Sequence, residues 1–126
     1  MPDYTRIPEA EFEIMQIIWS QPPPISSMQV TGLQEKWKHQ TVRTLLTRLE
    51  KRGYVSSEKQ GKERAYTPAV PKDEYLSMEL GYFLQKFRLN NLTGLMSAMY
   101  PDSDPSDEEL LQFEQWIKTQ RDGGAQ

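Results

Sequence analysis

Apolar positions fall into blocks whose period changes along the chain. Phe12, Met15, Ile18 and Trp19 repeat at helical spacing and predict a first helix over about 8–20. Pro8 suits its first turn, Glu9 and Glu11 suit the positive end of its dipole, and Pro22-Pro23-Pro24 ends it. Ser26-Ser27-Met28-Gln29 has the form of a capping box and predicts a second helix burying Val30, Leu33 and Trp37. Gly32 weakens that helix by about 1 kcal/mol relative to alanine. The third pattern is the most regular. Val42, Leu45, Leu46 and Leu49 lie at i, i+3, i+4 and i+7, and Gly53 is placed for a left-handed cap after the last turn.

The period then shortens. Tyr54-Val55-Ser56-Ser57 and Ala65-Tyr66-Thr67 are aromatic and β-branched, and the polar run 58–64 between them holds one glycine, Gly61. A two-stranded hairpin with a charged tip is predicted. Pro71 opens a long helix over about 71–91 with Leu76, Leu80, Phe83, Leu84 and Phe87 along one side. Leu92, Leu95, Met96 and Met99 continue the spacing in a short helix or turn, which Pro101–Pro105 breaks. Ser106-Asp107-Glu108-Glu109 is a second capping box before a helix bearing Leu110, Phe113 and Ile117, and Asp122–Gln126 is predicted to fray. No internal repeat or low-complexity tract is visible.

Three short helices followed by a hairpin give the fold class: mainly α with a small β-hairpin, a winged helix-turn-helix plus a C-terminal helical dimerisation tail. The expected division is a winged-helix DNA-binding domain over 1–70, a helical dimerisation region over 71–120 and a disordered tail over 121–126.

Composition narrows the function. At 126 residues, 37% hydrophobic and 26% charged, the chain suits one domain or a small domain with an appendage. It has no cysteine and one histidine, His39, which excludes disulfides, thiol catalysis and Cys-based metal sites and argues against a His-dependent triad. No catalytic residue, metal or cofactor is therefore expected. Asp102, Asp104, Asp107, Glu108 and Glu109 cluster, but lack the alternation and glycine of a calcium loop, and serve better as linker and helix-start charges. No run approaches the roughly 18 apolar residues that span a bilayer, and the first residues lack a leader's basic and apolar regions. A cytoplasmic protein without membrane insertion is the expectation.

The net charge of −3 hides an asymmetry. Residues 1–35 sum to −4 and 65–126 to −5, but 36–64 carry nine bases against three carboxylates, a surplus of +6. With Val42 set at zero and 100° per residue, Gln40, Thr44, Thr47 and Lys51 lie roughly 140–200° round from the leucine stripe. Arg43 and Arg48 flank them. Such a face suits the major groove: Arg and Gln make bidentate contacts to base edges, Thr offers a hydroxyl and a methyl, and flanking bases neutralise phosphates. Lys59, Lys62 and Arg64 place a second basic element in the hairpin. A solvated basic face is the alternative for either element alone; both together favour DNA.

The residues Glu11-Phe12-Glu13-Ile14-Met15 with Ile18-Trp19, the run Thr41-Val42-Arg43-Thr44-Leu45-Leu46-Thr47-Arg48-Leu49, and Lys51-Arg52-Gly53-Tyr54-Val55 closely resemble the penicillinase repressor family. The resemblance is strong over roughly 7–70, and the helical tail matches in length and character rather than in motif. It implies a dimeric winged-helix repressor of a palindromic operator, derepressed by a membrane sensor-protease. By the same resemblance Thr41, Arg43 and Thr44 match recognition-helix positions that meet DNA, and Arg48 matches the arginine of the motif. Lys38-His39-Gln40 stands where relatives often have a Ser-Pro-Lys-like start, so Gln40 loses a phosphate-seeking charge or reads adenine instead. His39 is expected near phosphate at the helix start.

The expected DNA-binding set is thus Lys38, His39, Gln40, Thr41, Arg43, Thr44, Thr47, Arg48, Lys51, Lys59, Lys62 and Arg64. Leu76, Leu80, Phe83, Phe87, Leu95, Met96, Met99, Leu110, Phe113 and Ile117 are too much apolar surface for an unpaired tail, and a homodimer contact is expected there. Relatives relieved by proteolysis are cut at an Asn-Phe bond, a pair absent here; the corresponding segment places a cut near Ala98, Met99 and Tyr100. A winged helix that meets an acidic protein partner, without reading DNA, is the competing reading.

Overall fold

The computed structural model describes residues 6–124. They form α1 (Glu9–Ser20), β1 (Ile25–Ser26), α2 (Ser27–Gly32), α3 (His39–Lys51), β2 (Val55–Gln60), β3 (Glu63–Pro68), α4 (Lys72–Lys86), α5 (Leu92–Met99) and α6 (Asp107–Gly124). The chain divides into two compact units, Met1–Phe83 and Leu84–Gln126.

In the first unit the apolar stripe of α3 packs as its spacing demands: Val42, Leu45, Leu46 and Leu49 are all buried, against Ile14, Met15 and Ile18 of α1 and Val30 of α2. Gly53 follows α3 at φ +86°, a conformation that costs a side chain dearly. The capping box of α2 is complete, with the Ser26 hydroxyl accepting from Gln29 N at 3.1 Å and the Gln29 side chain accepting from Ser26 N at 2.8 Å. The helix is shorter than its apolar spacing suggests. It stops at Gly32, so Leu33 is 51% exposed, while Trp37 lies in the following loop, half-buried.

The hairpin is longer than expected, because the charged residues continue the ladder rather than forming a loop. Lys59 faces Arg64 and Gln60 faces Glu63, leaving Gly61 (φ +65°) and Lys62 as the turn. An unforeseen strand, β1, adds to the other edge of β3 through Ile25↔Tyr66 and Ser26↔Ala65, giving the order β1-β3-β2.

The first unit extends past Val70. Tyr75, near the start of α4, is 2% exposed, and its ring lies 5.9, 5.8 and 5.5 Å from those of Phe12, Trp19 and Tyr54. Its hydroxyl accepts from Ile7 N at 2.9 Å, and Trp19 Nε1 donates to Val70 O at 2.9 Å. These contacts place the end of the unit within α4 rather than at Pro71.

In the second unit Asn91 caps α5 by accepting from Gly94 N. Ser106 caps α6 by accepting from Glu109 N at 3.1 Å, whereas the Glu109 carboxylate accepts from the hydroxyls of Ser106 and Tyr100. Phe113 and Trp116 stack on α6 at 6.0 Å. The helix continues to Gly124, so residues 122–124, expected to fray, and 121 with them are helical: nothing before Gly123 interrupts the i→i−4 bonding. Residues 125–126 lie outside the described residues.

Candidate nucleic-acid interface

With its leucine stripe buried, α3 turns the opposite side to solvent. Gln40, Thr41, Arg43, Thr44, Thr47, Arg48 and Lys51 are all exposed, as is Lys38 at the N-cap, and His39 is half-buried. Lys38, His39, Gln40, Arg43, Thr44 and Thr47 line one broad concave surface. Thr41 and Arg48, on one flank of the helix, and Lys51, at its C-terminal end, lie outside it. The Thr44 and Thr47 hydroxyls donate to the carbonyls of Gln40 and Arg43 at 3.1 and 2.9 Å. Their donors are thus used within the helix, and acceptor lone pairs and a methyl remain to offer.

A second, smaller cavity of about 120 Å³ joins the helix to the wing. His39, Arg43 and Thr47 line it from α3, Lys62, Glu63, Arg64 and Tyr66 from the hairpin, and Ser27 from α2. His39 Nε2 is hydrogen-bonded to Ser27 Oγ at 3.1 Å, which ties the start of α3 to the start of α2. The structure therefore brings Lys62 and Arg64 to the same junction as Arg43. Lys59 stands directly across the ladder from Arg64. Like charges so placed oppose each other by roughly 0.2–1 kcal/mol, a cost that a polyanion between or beside them relieves.

Residues outside the expected set hold this arrangement. The Ser57 hydroxyl donates to the Glu50 carboxylate (2.8 Å to Oε2), and Arg64 Nε donates to Ser57 Oγ at 2.9 Å. That chain runs from the last turn of α3 to the wing and fixes Arg64. Burial pushes the Tyr66 phenol above its ordinary value and the Glu50 carboxylate adds to this, while Arg64 and Arg43 pull it back. On the far side, Arg52 Nε donates at 2.7 Å to Oε1 of Glu11, whose side chain is only 4% exposed, so the end of α3 is pinned to α1. Sequence spacing gave no sign of these partners, since Glu11 and Arg52 are far apart in the chain and each looks like an ordinary surface charge.

Comparison with known proteins agrees with this architecture. The family model described as penicillinase repressor matches residues 7–119. The chain belongs to the penicillinase repressor family. The family is one of repressors, not of enzymes. The penicillinase repressor of Bacillus licheniformis is 26% identical over 120 residues, covering 94% of each chain. The methicillin resistance regulatory protein MecI of Staphylococcus aureus is 27% identical over 106 residues, covering 82% of this chain and 86% of that one. The solution structure of the DNA-binding domain of the repressor BlaI is similar at a TM-score of 0.51 and 31% identity, over 60% of this chain and 94% of that chain. A MarR family protein from Bacillus stearothermophilus, 14% identical, matches 97% of this chain and 78% of its own at a TM-score of 0.50, a likeness of fold alone.

Among the described residues no group of His, Asp and Glu could hold a metal ion, and no helix is long and apolar enough to cross a membrane.

Proposed function

We propose that this family member is a DNA-binding transcriptional repressor that reads a palindromic operator as a homodimer. One observation carries the reading: the solvent face of α3 and the basic wing meet at Arg43, which lines both the groove-facing surface and the junction with Lys62 and Arg64. A recognition helix supplies base contacts from such a face and a wing supplies phosphate contacts beside it. Lys38, His39, Gln40, Thr41, Arg43, Thr44, Thr47, Arg48, Lys51, Lys59, Lys62 and Arg64 form the DNA surface. The likeness to the BlaI DNA-binding domain supports the assignment.

One recognition helix covers only a few base pairs, so useful discrimination calls for two copies on a dyad. Leu76 and Leu80 of α4, Leu92 and Met99 of α5, and Leu110, Leu111 and Trp116 of α6 are exposed large apolar residues. Leu95, Met96, Phe113 and Ile117 are half-buried beside them in sequence, and Phe83 and Phe87 are exposed at the end of α4 and just beyond. This quantity of apolar surface supports self-association through the helical tail.

Release from DNA follows cleavage of the tail by a membrane sensor-protease. Ala98–Met99 and Met99–Tyr100 lie in the last turn of α5 and at its exit, Ala98 and Met99 are exposed, and a non-helical stretch follows up to α6. Cutting there separates α6 from the winged helix. Mass spectrometry of the protein from induced cells tests this step; an intact chain under full derepression refutes it.

Selection of duplexes from a random pool, followed by gel shifts across a salt series, tests the DNA reading. Arg43→Ala should cost about 1–3 kcal/mol and relax base preference, whereas Lys62→Ala or Arg64→Ala should weaken all sequences alike and flatten the salt slope by about one unit each. Absence of any enriched sequence would favour an acidic protein partner instead.

A further inference from the structure

The junction between α3 and the wing contains a carboxylate that the DNA reading does not use. Glu63 opens β3 between two cations, Lys62 and Arg64, and its Oε1 is buried with no hydrogen-bond partner among the described residues. A buried acceptor left unmade is costly, and more so when it carries charge. Groups able to donate surround it: His39, Arg43, Lys62, Arg64 and Tyr66 line the same small cavity. Two of them are already engaged, His39 Nε2 with Ser27 and Arg64 Nε with Ser57. Arg43 differs from the rest in lining the groove-facing surface as well, together with Gln40, Thr44 and Lys38.

We propose that Glu63 is a positioning residue for sequence discrimination: a rotation of the Arg43 side chain within the cavity they share lets one edge of its guanidinium donate to the unpartnered Oε1, so that the remaining donors face a base. The inference rests on the DNA-binding reading above. A guanidinium has five N–H donors in a planar fork, enough to satisfy a carboxylate and still make a bidentate contact to the O6 and N7 of guanine. Held by Glu63, Arg43 reaches a base edge without giving up its partner, so binding to the right sequence keeps both interactions. On other DNA the same tether holds Arg43 away from the phosphates, and the unspecific contact is not made. A side chain fixed beforehand also loses less conformational freedom on binding. Glu63 thereby suppresses binding to the wrong sequences more than it assists binding to the right one.

Glu63→Gln in the full-length chain removes the charge while keeping the shape. The probes are a duplex enriched from a random pool by the unaltered protein and a duplex of scrambled sequence. Released to a phosphate, Arg43 should steepen the salt slope on scrambled DNA by about 0.9, worth about eightfold in affinity between 1 M and 0.1 M salt. Affinity for the enriched duplex should fall or stay within about twofold, so the ratio of the two drops. In an Arg43→Ala background Glu63→Gln should leave the ratio unchanged. Glu63→Asp, which keeps the charge but withdraws the oxygen by one methylene, should also lower the ratio, and it serves if the Gln variant does not fold. Equal gains on both duplexes, a loss that persists without Arg43, or an unchanged ratio would each overturn the proposal. If the unaltered protein enriches no sequence at all, the DNA reading itself fails, an outcome visible before any variant is made.

Discussion

Removing the chain beyond Val70 takes away Tyr75, and with it the centre of an aromatic group formed by Phe12, Trp19 and Tyr54. Ring centroids lie within 5.9 Å of Tyr75 in all three pairs, and the Tyr75 ring is nearly inaccessible to solvent. Loss of a large buried aromatic costs about 3–5 kcal/mol, a substantial part of the 5–15 kcal/mol that holds a small domain together. A fragment of residues 1–83 should therefore fold as a stable winged helix, and one of residues 1–70 should be weaker by that amount. With a urea m-value of about 1–2 kcal/mol/M, the midpoint should drop by about 1.5 M or more. Tyr75→Phe in the longer fragment separates two contributions. It keeps the ring but removes the acceptor of Ile7 N, which should cost about 1–3 kcal/mol. Equilibrium urea unfolding followed by tryptophan fluorescence reads all three, since Trp19 touches the group directly. Coincident midpoints for the two fragments would refute the placement of this boundary.

Arg52→Ala strands the buried Glu11 carboxylate; because Arg52 is about one-third exposed, the loss should be nearer 2 kcal/mol than the 3–5 of a fully buried pair, measured by thermal or urea unfolding. For Tyr66 the folded phenol titrates above the ordinary value of 10.0. Its contribution to stability is complete below that value and is lost as pH rises through the higher folded one, so Tyr66→Phe should reduce the alkaline loss of stability seen in unfolding curves above pH 10; identical curves would show that Tyr66 does not titrate differently on folding. Light scattering of the full chain at micromolar concentration should give the mass of a dimer, and of residues 1–83 a monomer; a monomeric full chain would refute the tail interface. Gly53→Ala, at φ +86°, should destabilise by about 1 kcal/mol or more without any change in side-chain contacts.

Local patterns made the first unit readable, and long-range pairings did not. The stripe of α3, its glycine stop, the capping box of α2 and the existence of a wing all follow from spacing within a few residues. Leu33 misled because apolar spacing continues past a helix that Gly32 ends, and the loop then carries Trp37 inward in its place. Lys59 and Arg64 read as a loop because charged residues are poor strand formers, yet register with each other keeps them in the ladder. Tyr75 was absent from the expected core because its neighbours in sequence, Leu76 and Leu80, are apolar and more regular, although they are the exposed ones. Ser27, Ser57, Glu50 and Glu63 escaped notice at the interface because small polar and acidic residues signal nothing until the fold sets them beside arginines.

The short strand β1 also bears on the order in which the chain folds. The hairpin of β2 and β3 closes a turn of two residues and can form within microseconds, and the turns of α3 form faster still. Ile25 meets Tyr66 only after the whole helix-turn-helix and half the hairpin have been drawn into one loop. Closing so long a loop gains only a two-residue ladder in return, so the bond pattern of β1 should form late and open early. Amide exchange should accordingly be faster at Ile25 and Ser26 than at Leu46 or Leu49. The wing would then be sealed to the body of the protein by its least persistent strand, loosening at its root before its core gives way.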